Sequence, residues 1–506
     1  MKKKTTFSSN ILLIAGIVIL VNILAARFFL RLDFTADKRY SLSKATKDIL
    51  ANLPETVTIK AYFTENLPAQ YTVSRRDFKE MLMEYAARSK GNIVYEFIDP
   101  NKDQETEQAA MQAGIQPLLI NVREKDQVKQ QKAFMGAVIQ LGDRKDIIPF
   151  VRPDGSMEYM LSASLKKLSV VNKPLIGLIQ GHGEPSQASY AQALPQLGVL
   201  YTVEAVNLAD SALKLSDYVT LALIAPQDTI PTDQLAKLDD YLRNGGHIYI
   251  AMDRVEGNFQ TVSGNSKTTG LETWLEMKGL VVDNNFVVDA QCGPISVVQQ
   301  QGGYSIQTQV NFPFFPIITT FADNPATKGL EQVMLPFASS ITWKGSPSFT
   351  FTPLLKSSKQ SGVLVPPVYF DINKRWTEQD FTQSGLVLGA LVEGNFGGTK
   401  PGKLLVISNG QFAVNGEGQQ PRQVQPDNVS LMVNSIDCLS DETGLIDLRT
   451  KGITARPLKQ MEDSSKTMVK WLNFLLPIAL VIVYGVYRTA RRKNQRMRRM
   501  EVGYVD

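Results

Sequence analysis

The turn Gly181-His182-Gly183-Glu184 carries the side chains best suited to chemistry in this chain of 506 residues. It follows an apolar run, Leu175–Gln180, that predicts a buried strand, and Asp253 follows a second such run. Ligands of open α/β sheets bind beyond the carboxyl ends of the strands. His182, Glu184 and Asp253 therefore form a candidate pocket for a carbohydrate, a peptide or a metal ion. The favoured alternative is a structural turn, in which the glycines supply positive φ and His182 bonds neighbouring carbonyls.

The cysteines predict neither a nucleophile nor a metal centre. Cys292 and Cys438 form no CxxC pair, and the two histidines form no HExxH motif, so the usual zinc spacings are missing. A nucleophile elbow places Ser or Cys between glycines at a strand–helix turn, and here that position holds His182. We therefore predict no catalytic residue. An oxidising compartment would allow a disulfide between the cysteines, which their spacing alone does not establish.

Nucleotide chemistry is not predicted either. A Walker A loop needs Gly-x4-Gly-Lys-Ser/Thr, so that backbone amides cradle the phosphates. The nearest stretches, residues 264–268 and 397–403, break that spacing and are predicted to be loops. We expect no ATP hydrolysis and no bound cofactor.

Two apolar segments are long enough to cross a membrane as helices. Residues 11–30 are interrupted by Asn22 and Arg27, and residues 467–487 by Asn473 and Pro477. About twenty apolar residues span a hydrocarbon core of roughly 30 Å. A cleaved signal peptide is the alternative for the first segment. The apolar core of this segment is long for a signal peptide, and a cut after Ala26 would place the bulky Leu24 where a small residue is needed. Both features favour an uncleaved anchor.

Cations flank both segments and predict their orientation. Three lysines lie in residues 1–10, and seven Lys or Arg lie in residues 488–506. The positive-inside rule places both termini in the cytoplasm of a bacterial cell and roughly residues 31–466 outside it. The two tails together are more positive than the net charge of +5 of the whole chain, so the body between them is mildly acidic. An acidic body argues against binding to nucleic acid, and no nucleic-acid partner is predicted. Anionic lipid is the expected partner of the basic tail.

The overall fold class predicted is α/β, and a small α/β domain is expected first, over residues 54–168. A juxtamembrane helix with Ser43 as N-cap precedes it within residues 31–53. A capping box at Ser74 and Asp77 predicts the start of a second helix. Strands are predicted at 57–63, 93–98, 118–122, 132–141 and 145–151. This βαβ-then-hairpin order is thioredoxin-like, without the CxxC that redox chemistry needs.

A larger α/β domain is predicted over residues 173–445, followed by a linker over 446–466. Apolar runs predict buried strands at 175–180, 218–225, 247–252 and 403–408, and a further strand is predicted at 202–206. Helices are predicted around 189–197 and after Pro231. We expect a parallel sheet with helices on both faces.

Residues 255–400 predict a β-rich insertion within that domain, because they are irregular and rich in Gln, Gly and Pro. Alternating apolar and polar residues at 304–312 predict a half-buried strand. Phe312, Phe314 and Phe315 are then expected in a loop. They are candidates for an exposed partner contact, and the favoured alternative is that they pack back on the core.

These features, in this order, resemble the gliding-motility-associated ABC-transporter auxiliary proteins, the GldG family, over essentially the whole chain. The resemblance rests on the final helix and on Leu32-Asp-Phe-Thr, Arg39-Tyr-Ser-Leu-Ser43, Gly181-His-Gly-Glu184, Tyr241-Leu-Arg-Asn-Gly-Gly246 leading to Asp253, and Asn434-Ser-Ile-Asp-Cys438. It implies a partner permease, a separate cytoplasmic ATPase and a Bacteroidota-like envelope. It also implies a glutamine-amidotransferase-like second domain without its nucleophile.

The predicted function is a non-catalytic accessory subunit of an ABC-type export or gliding-motility system, anchored in the inner membrane by two spans. Asn22 and Asn473 are candidates for hydrogen bonds to permease helices. The extracytoplasmic body would contact a cargo or envelope component that the sequence does not identify. The alternative is a tethered substrate-binding protein for a carbohydrate or peptide, and a membrane-anchored hydrolase is the third hypothesis.

Overall fold

The computed structural model describes residues 16, 41–65, 67–124, 127–151, 157–169, 173–301, 304–418, 421–441 and 463–501. The chain divides into two compact units, one ending at Ile453 and one beginning at Thr454. Apart from residue 16, the predicted first span with Asn22 lies outside the described residues. So do the lysines of residues 1–10, the motif at 32–35 and almost all of the predicted linker.

The amino-terminal part of the first unit is an α/β domain. Its elements are α1 (Lys44–Ala51), β1 (Val57–Phe63), α2 (Ala69–Arg88), β2 (Ile93–Ile98), α3 (Gln104–Gln112), β3 (Leu118–Glu124), β4 (Gln127–Ala133), β5 (Met135–Leu141), β6 (Arg144–Ile148) and α4 (Met157–Ser169).

Four of these strands form one sheet in the order β2-β1-β5-β6. β1 pairs in parallel with β2 and antiparallel with β5, and β5 and β6 form a hairpin across residues 142 and 143, as predicted. The predicted N-cap is confirmed, because the Ser43 hydroxyl accepts a hydrogen bond from Thr46 N at 3.1 Å. One apolar core fills the space between this sheet and the packed helices.

Two predictions in this domain are wrong. α2 begins at Ala69 directly after Pro68, so Ser74 is a buried residue inside the helix and no capping box forms. The fixed φ of a proline suits the start of a helix, and here it overrides the Ser-x-x-Asp pattern. The predicted strand at 132–141 is two strands that break at Phe134, whose backbone exchanges hydrogen bonds with Thr64.

A second α/β domain begins after residue 172. Its elements outside the insertion are β7 (Leu175–Gln180), a 3-10 turn (Gln187–Tyr190), α5 (Leu194–Leu197), β8 (Thr202–Asn207), β9 (Tyr218–Ile224), α6 (Thr232–Arg243), β10 (His247–Ala251), β24 (Gly402–Ile407) and α8 (Pro426–Ser440). Leu200 packs against the cores of both domains.

The insertion lies between β10 and β24 and is rich in short strands. They are β11 (Val255–Asn258), β12 (Ser263–Ser266), β13 (Leu280–Val282), β14 (Phe286–Asp289), β15 (Cys292–Gln301), β16 (Tyr304–Ile318), β17 (Thr320–Phe321), β18 (Val333–Met334), β19 (Ile341–Trp343), β20 (Thr350–Lys356), β21 (Ser361–Leu364), β22 (Val368–Tyr369) and β23 (Val387–Gly394), with α7 (Leu271–Glu276) between β12 and β13.

The main sheet has eight strands in the order β17-β20-β23-β24-β10-β9-β7-β8. The five strands from β24 to β8 are parallel, as the apolar runs predicted. The prediction of a wholly parallel sheet is wrong, since the insertion adds β23, β20 and β17 as antiparallel neighbours at the β24 edge. Their pairing depends on contacts distant in the chain, which the local pattern does not encode.

The second unit contains the helix α9 (Asp463–Glu501). Its segment Thr467–Met497 is, by length and composition, the one helix in the described residues able to cross a membrane. The side chains of residues 467–497 are all exposed, including Asn473. The helix continues beyond the predicted end at residue 487 and carries the cations Arg488, Arg491, Arg492, Lys493 and Arg496.

Candidate functional site

The five parallel strands place the predicted site residues at one edge of the main sheet. These strands lie side by side in the order β8-β7-β9-β10-β24. The chain passes from β7 to β8 on one side and then to β9 on the other side of β7, so the direction in which strands are added reverses between β7 and β9. In open α/β sheets this reversal opens a crevice at the carboxyl ends, where ligands bind. The turn that contains His182 leaves β7 at that point.

His182 is buried, and both nitrogens of its ring contact side chains of the protein. Nδ1 lies 2.9 Å from Glu184 Oε1, while Glu184 Oε2 accepts a hydrogen bond from His182 N at 2.7 Å. Nε2 lies 2.8 Å from Oε1 of Gln234, a residue of α6. A carboxylate only accepts, so Nδ1 carries the hydrogen. These contacts favour a structural role for the ring.

Backbone hydrogen bonds join the His182 turn to the loop after β9. The carbonyl of His182 accepts from Gln227 N at 2.8 Å and from Asp228 N at 2.9 Å, in the loop after β9. Gly183 has φ of +76°, and a Cβ there would lie 2.8 Å from Gln227 Cβ. Only glycine therefore allows this close approach, which the sequence interpretation anticipated.

Asp253 lies at the carboxyl end of β10 and is also buried. Its Oδ1 accepts from Gly410 N at 2.7 Å and from Asn409 Nδ2 at 3.2 Å, just after β24. Burial raises the pKa of this carboxyl, while the Gly410 bond and then the charge of Lys267 oppose the rise. Asn409 Oδ1 is buried and has no hydrogen-bond partner among the described residues. A donor such as a water molecule would satisfy it.

His182 and Asp253 share an edge of the sheet, but no direct hydrogen bond joins them in the described structure. The residues between them are Gln227 and Lys267. Lys267 Nζ donates to Gln227 Oε1 at 2.6 Å, and Gln227 Nε2 donates to Ala225 O at 2.8 Å. The sequence interpretation missed Gln227, Gln234 and Lys267. For Gln227 a signal existed, since it comes three residues after the end of the buried strand β9.

Two buried tyrosines extend this polar region into the core. Burial, and then the nearby Glu184 charge, raise the pKa of Tyr190 above its usual value. Burial also raises the pKa of Tyr249, with Tyr190 as a smaller cause. Neither hydroxyl has a partner within the described part of the chain. Both phenols stay protonated at physiological pH.

Phe312 and Phe314 are buried within β16, and Phe315 is half-buried, so the predicted loop is a strand. The three rings pack with Phe286, Phe337 and Phe370 in a separate aromatic core of the insertion. Neither Phe312 nor Phe314 presents an exposed surface. Among the described side chains of this region, Phe259 and Tyr369 are the aromatic residues that are exposed, at 51% and 73%, and the sequence interpretation did not identify them.

Two of the clefts at the surface of the first unit have volumes near 700 Å³. One, of about 690 Å³, is lined by Phe259, Tyr369 and residues of β15. The other, of about 700 Å³, lies between the two α/β domains and is lined by Phe150, Tyr159 and Lys167 on one side and Val199, Lys328 and Asp427 on the other. Clefts at domain boundaries are common ligand sites.

Both cysteines are free thiols, so the structure contains no disulfide between them. Burial raises the pKa of Cys438 to about 11 and also raises that of Cys292. In the part of the chain that the structure describes, no three His, Cys, Asp or Glu side chains are grouped to hold a metal ion.

Comparison with known proteins places the second domain in a family. A family model described as an ABC-type uncharacterized transport system matches residues 173–440. A model for a domain of unknown function (DUF7088) matches residues 36–140. An uncharacterized protein of Borreliella burgdorferi is 23% identical over 521 residues, which cover 98% of this chain and 100% of that protein.

Likenesses to solved structures are slight. The mmIFT52 N-terminal domain has a TM-score of 0.35 and 14% identity, covering 53% of this chain and 97% of its own. A putative ThuA-like protein from Parabacteroides merdae has a TM-score of 0.30 and 12% identity, covering 53% and 91%. Both scores are too low to assign a fold. The family model, in contrast, matches more than half of the chain, and the protein therefore belongs to this auxiliary family of ABC-type transport systems.

Proposed function

We propose that the protein is a non-catalytic accessory subunit that couples an ABC permease to an extracytoplasmic cargo or envelope partner, in a system related to gliding motility. The observation that carries the proposal is the family match over 173–440 together with the exposed apolar helix at Thr467–Met497. A transport family and a membrane-length helix together indicate a membrane association.

The proposed topology has two spans, at 11–30 and 467–487, with both termini in the cytoplasm and the α/β body outside. The cations on α9 after Tyr487 support this orientation, because basic residues concentrate on the cytoplasmic side. The partners proposed are a permease, whose helices would pack against Asn22 and Asn473, and a separate cytoplasmic ATPase.

We further propose that residues 54–168 have a thioredoxin-like fold and residues 173–445 an amidotransferase-like one. The sheet order β2-β1-β5-β6, with β1 parallel to β2 and the other pairs antiparallel, supports the first assignment. The reversed order of parallel strands around β7 and β9 supports the second. The proposed motion passes from the permease through α1, which is hydrogen-bonded to α4, into the first domain.

Two experiments test the proposal. Affinity purification from mild detergent should recover a permease and an ATPase with the full chain, whereas recovery as a free monomer counts against a subunit role. Protease added to intact spheroplasts should remove the body and spare the basic carboxyl-terminal tail. Cleavage of the tail with survival of the body would reverse the proposed orientation.

A tethered substrate-binding protein is the second candidate, and the cleft of about 700 Å³ between the two α/β domains favours it. A small carbohydrate or a short peptide would fit that space. Thermal-shift screening of the full chain in detergent tests this function. A saturable stabilisation that Tyr159→Ala abolishes would support it, and a flat response to both ligand classes would count against it.

A further inference from the structure

The cleft beside Phe259 has an aromatic floor. Phe259 stands in the loop between β11 and β12, and its ring centroid lies 5.8 Å from that of Phe312 and 6.1 Å from that of Phe315. It also contacts Phe337 and Phe370, so half of an aromatic ring is presented to solvent by an otherwise packed cluster. Exposed aromatic rings held in this way are typical of binding hot spots.

An open strand edge runs along one side of the same cleft. Four consecutive residues of β15, Pro294 to Val297, line it. Successive side chains of a strand point to opposite faces, and a cleft that meets the strand edge borders four residues in a row. Among the described strands, β15 pairs with β16 alone. An edge strand presents unpaired N–H and C=O groups, to which an extended peptide can add, although Pro294 can contribute a carbonyl but no N–H.

The cleft also has a charge preference. Asp371 is the one charged side chain among the described residues that line it. Its Oδ1 accepts from Asn373 N at 2.9 Å, and it forms no ion pair with a described residue. The nearest cation in sequence, Lys374, is committed to Asp380 at 2.7 Å and to the ring of Trp376. A basic group on a ligand would therefore find an acidic, uncompensated partner beside aromatic rings.

We propose that this cleft docks an extended, basic and apolar segment of a partner protein. The segment adds a strand to β15 along Pro294 to Val297, packs an apolar side chain on Phe259 and places Arg or Lys beside Asp371. Four residues of an extended strand cover about 13 Å, so a heptapeptide is long enough to occupy the site. The inference does not depend on the proposed transport role, because it concerns only this surface.

A displayed library of random heptapeptides, selected on the full chain in lipid nanodiscs, tests the inference. We expect enrichment of sequences that alternate apolar residues with Arg or Lys. The affinity of a selected synthetic peptide, measured by fluorescence anisotropy, should fall roughly tenfold or more for Phe259→Ser, as for a hot-spot residue. It should fall roughly threefold for Asp371→Asn, an effect that high salt removes. Met277→Ser changes an apolar side chain that is 73% exposed outside this cleft, and it should leave the affinity unchanged.

Strand addition has its own signature. In a paired strand only every second amide of the peptide faces β15. Methylation of the backbone nitrogens that face β15 should therefore abolish binding, whereas methylation of the intervening nitrogens should be tolerated. The proposal would be overturned if no peptide were enriched. It would also be overturned if the peptide bound the wild type and a Phe259→Ser variant of unchanged melting temperature with equal affinity, or if neither methylation pattern changed the affinity. Binding of a glycan array at Phe259 without peptide binding would likewise overturn it.

Discussion

The Thr46 hydroxyl on α1 donates a hydrogen bond of 2.8 Å to the carboxylate of Glu158 on α4. The same carboxylate oxygen accepts from Ser43 N at 2.7 Å. Thr46 Oγ1 also lies 2.8 Å from Ser162 Oγ, which in turn lies 2.8 Å from the hydroxyl of Tyr85 on α2. A buried polar network therefore joins helix α1 to two other helices of the first domain.

Thr46→Val should loosen α1. The substitution keeps the shape but removes the hydroxyl, so a buried carboxylate loses a donor, and we expect a loss of about 1–3 kcal/mol in unfolding free energy. Hydrogen–deuterium exchange of Lys44–Ala51 should accelerate accordingly. Thr58→Val, at an exposed position of β1, is the matched control and should change stability by less than about 0.5 kcal/mol. Equal effects of the two variants would contradict the role of the network.

His182→Ala should destabilise the second domain. It leaves the buried Glu184 carboxylate and the Gln234 amide without their common partner, which costs at least about 1–3 kcal/mol. The double variant with Glu184→Ala should lose less than the sum of the single losses, because the two residues contact each other. Thermal denaturation in detergent measures both effects, with Ser211→Ala in an exposed loop as control. Stable single variants that nevertheless lose transport would instead favour a binding pocket.

Asp253→Asn should flatten the pH dependence of stability. Burial raises the pKa of Asp253 in the folded state. As pH rises from the unfolded pKa, about 4, the unfolded chain releases this proton before the folded protein does. Stability therefore falls through this window and stays level above the folded pKa.

The Asp253→Asn variant lacks that decline. The difference between its melting temperature and that of the wild type should therefore shift in favour of the variant as the pH is raised from acidic to neutral. Asp143→Asn, in the exposed turn between β5 and β6, should leave the wild-type slope in place. Parallel curves for Asp253→Asn and the wild type would contradict the buried position of this carboxyl.

Cys438 should resist alkylation in the folded protein. With a pKa of about 11, only about one thiol in a thousand is ionised at pH 8. Mass spectrometry after treatment with N-ethylmaleimide should show slow labelling of Cys438 in the native state and rapid labelling in urea. A native disulfide would appear as two protected cysteines that react only after reduction, and would contradict the free thiols of the structure.

The parallel core of the main sheet was predictable because β7, β9, β10 and β24 are continuous apolar runs bounded by turns. A strand buried on both faces must be apolar at every position, so its signal is local. The insertion was predictable only as irregular and β-rich. Several of its strands have two to four residues, which is too short to show an alternation of apolar and polar residues.

The candidate site was partly predictable for a related reason. The edge that carries His182 and Asp253 follows from where their strands end. Gln234, which bonds the His182 ring, lies 52 positions away on a helix, and Lys267 lies in the insertion. No local pattern relates such residues before the chain has folded. Burial of Phe312 and Phe314 was the favoured alternative from the sequence, but the distant rings against which they pack were not predictable.

The separation of β10 and β24 along the chain has a consequence for biogenesis. These neighbours pair residue by residue from His247 and Lys403 to Ala251 and Ile407. About 150 residues separate the end of one from the start of the other, so the ribosome needs roughly 10–30 s to supply the missing partner. During that interval one side of β10 is open to pairing with other nascent chains. A fragment that stops before Gly402 keeps this side open permanently, and it should accumulate in inclusion bodies even when every upstream element is intact.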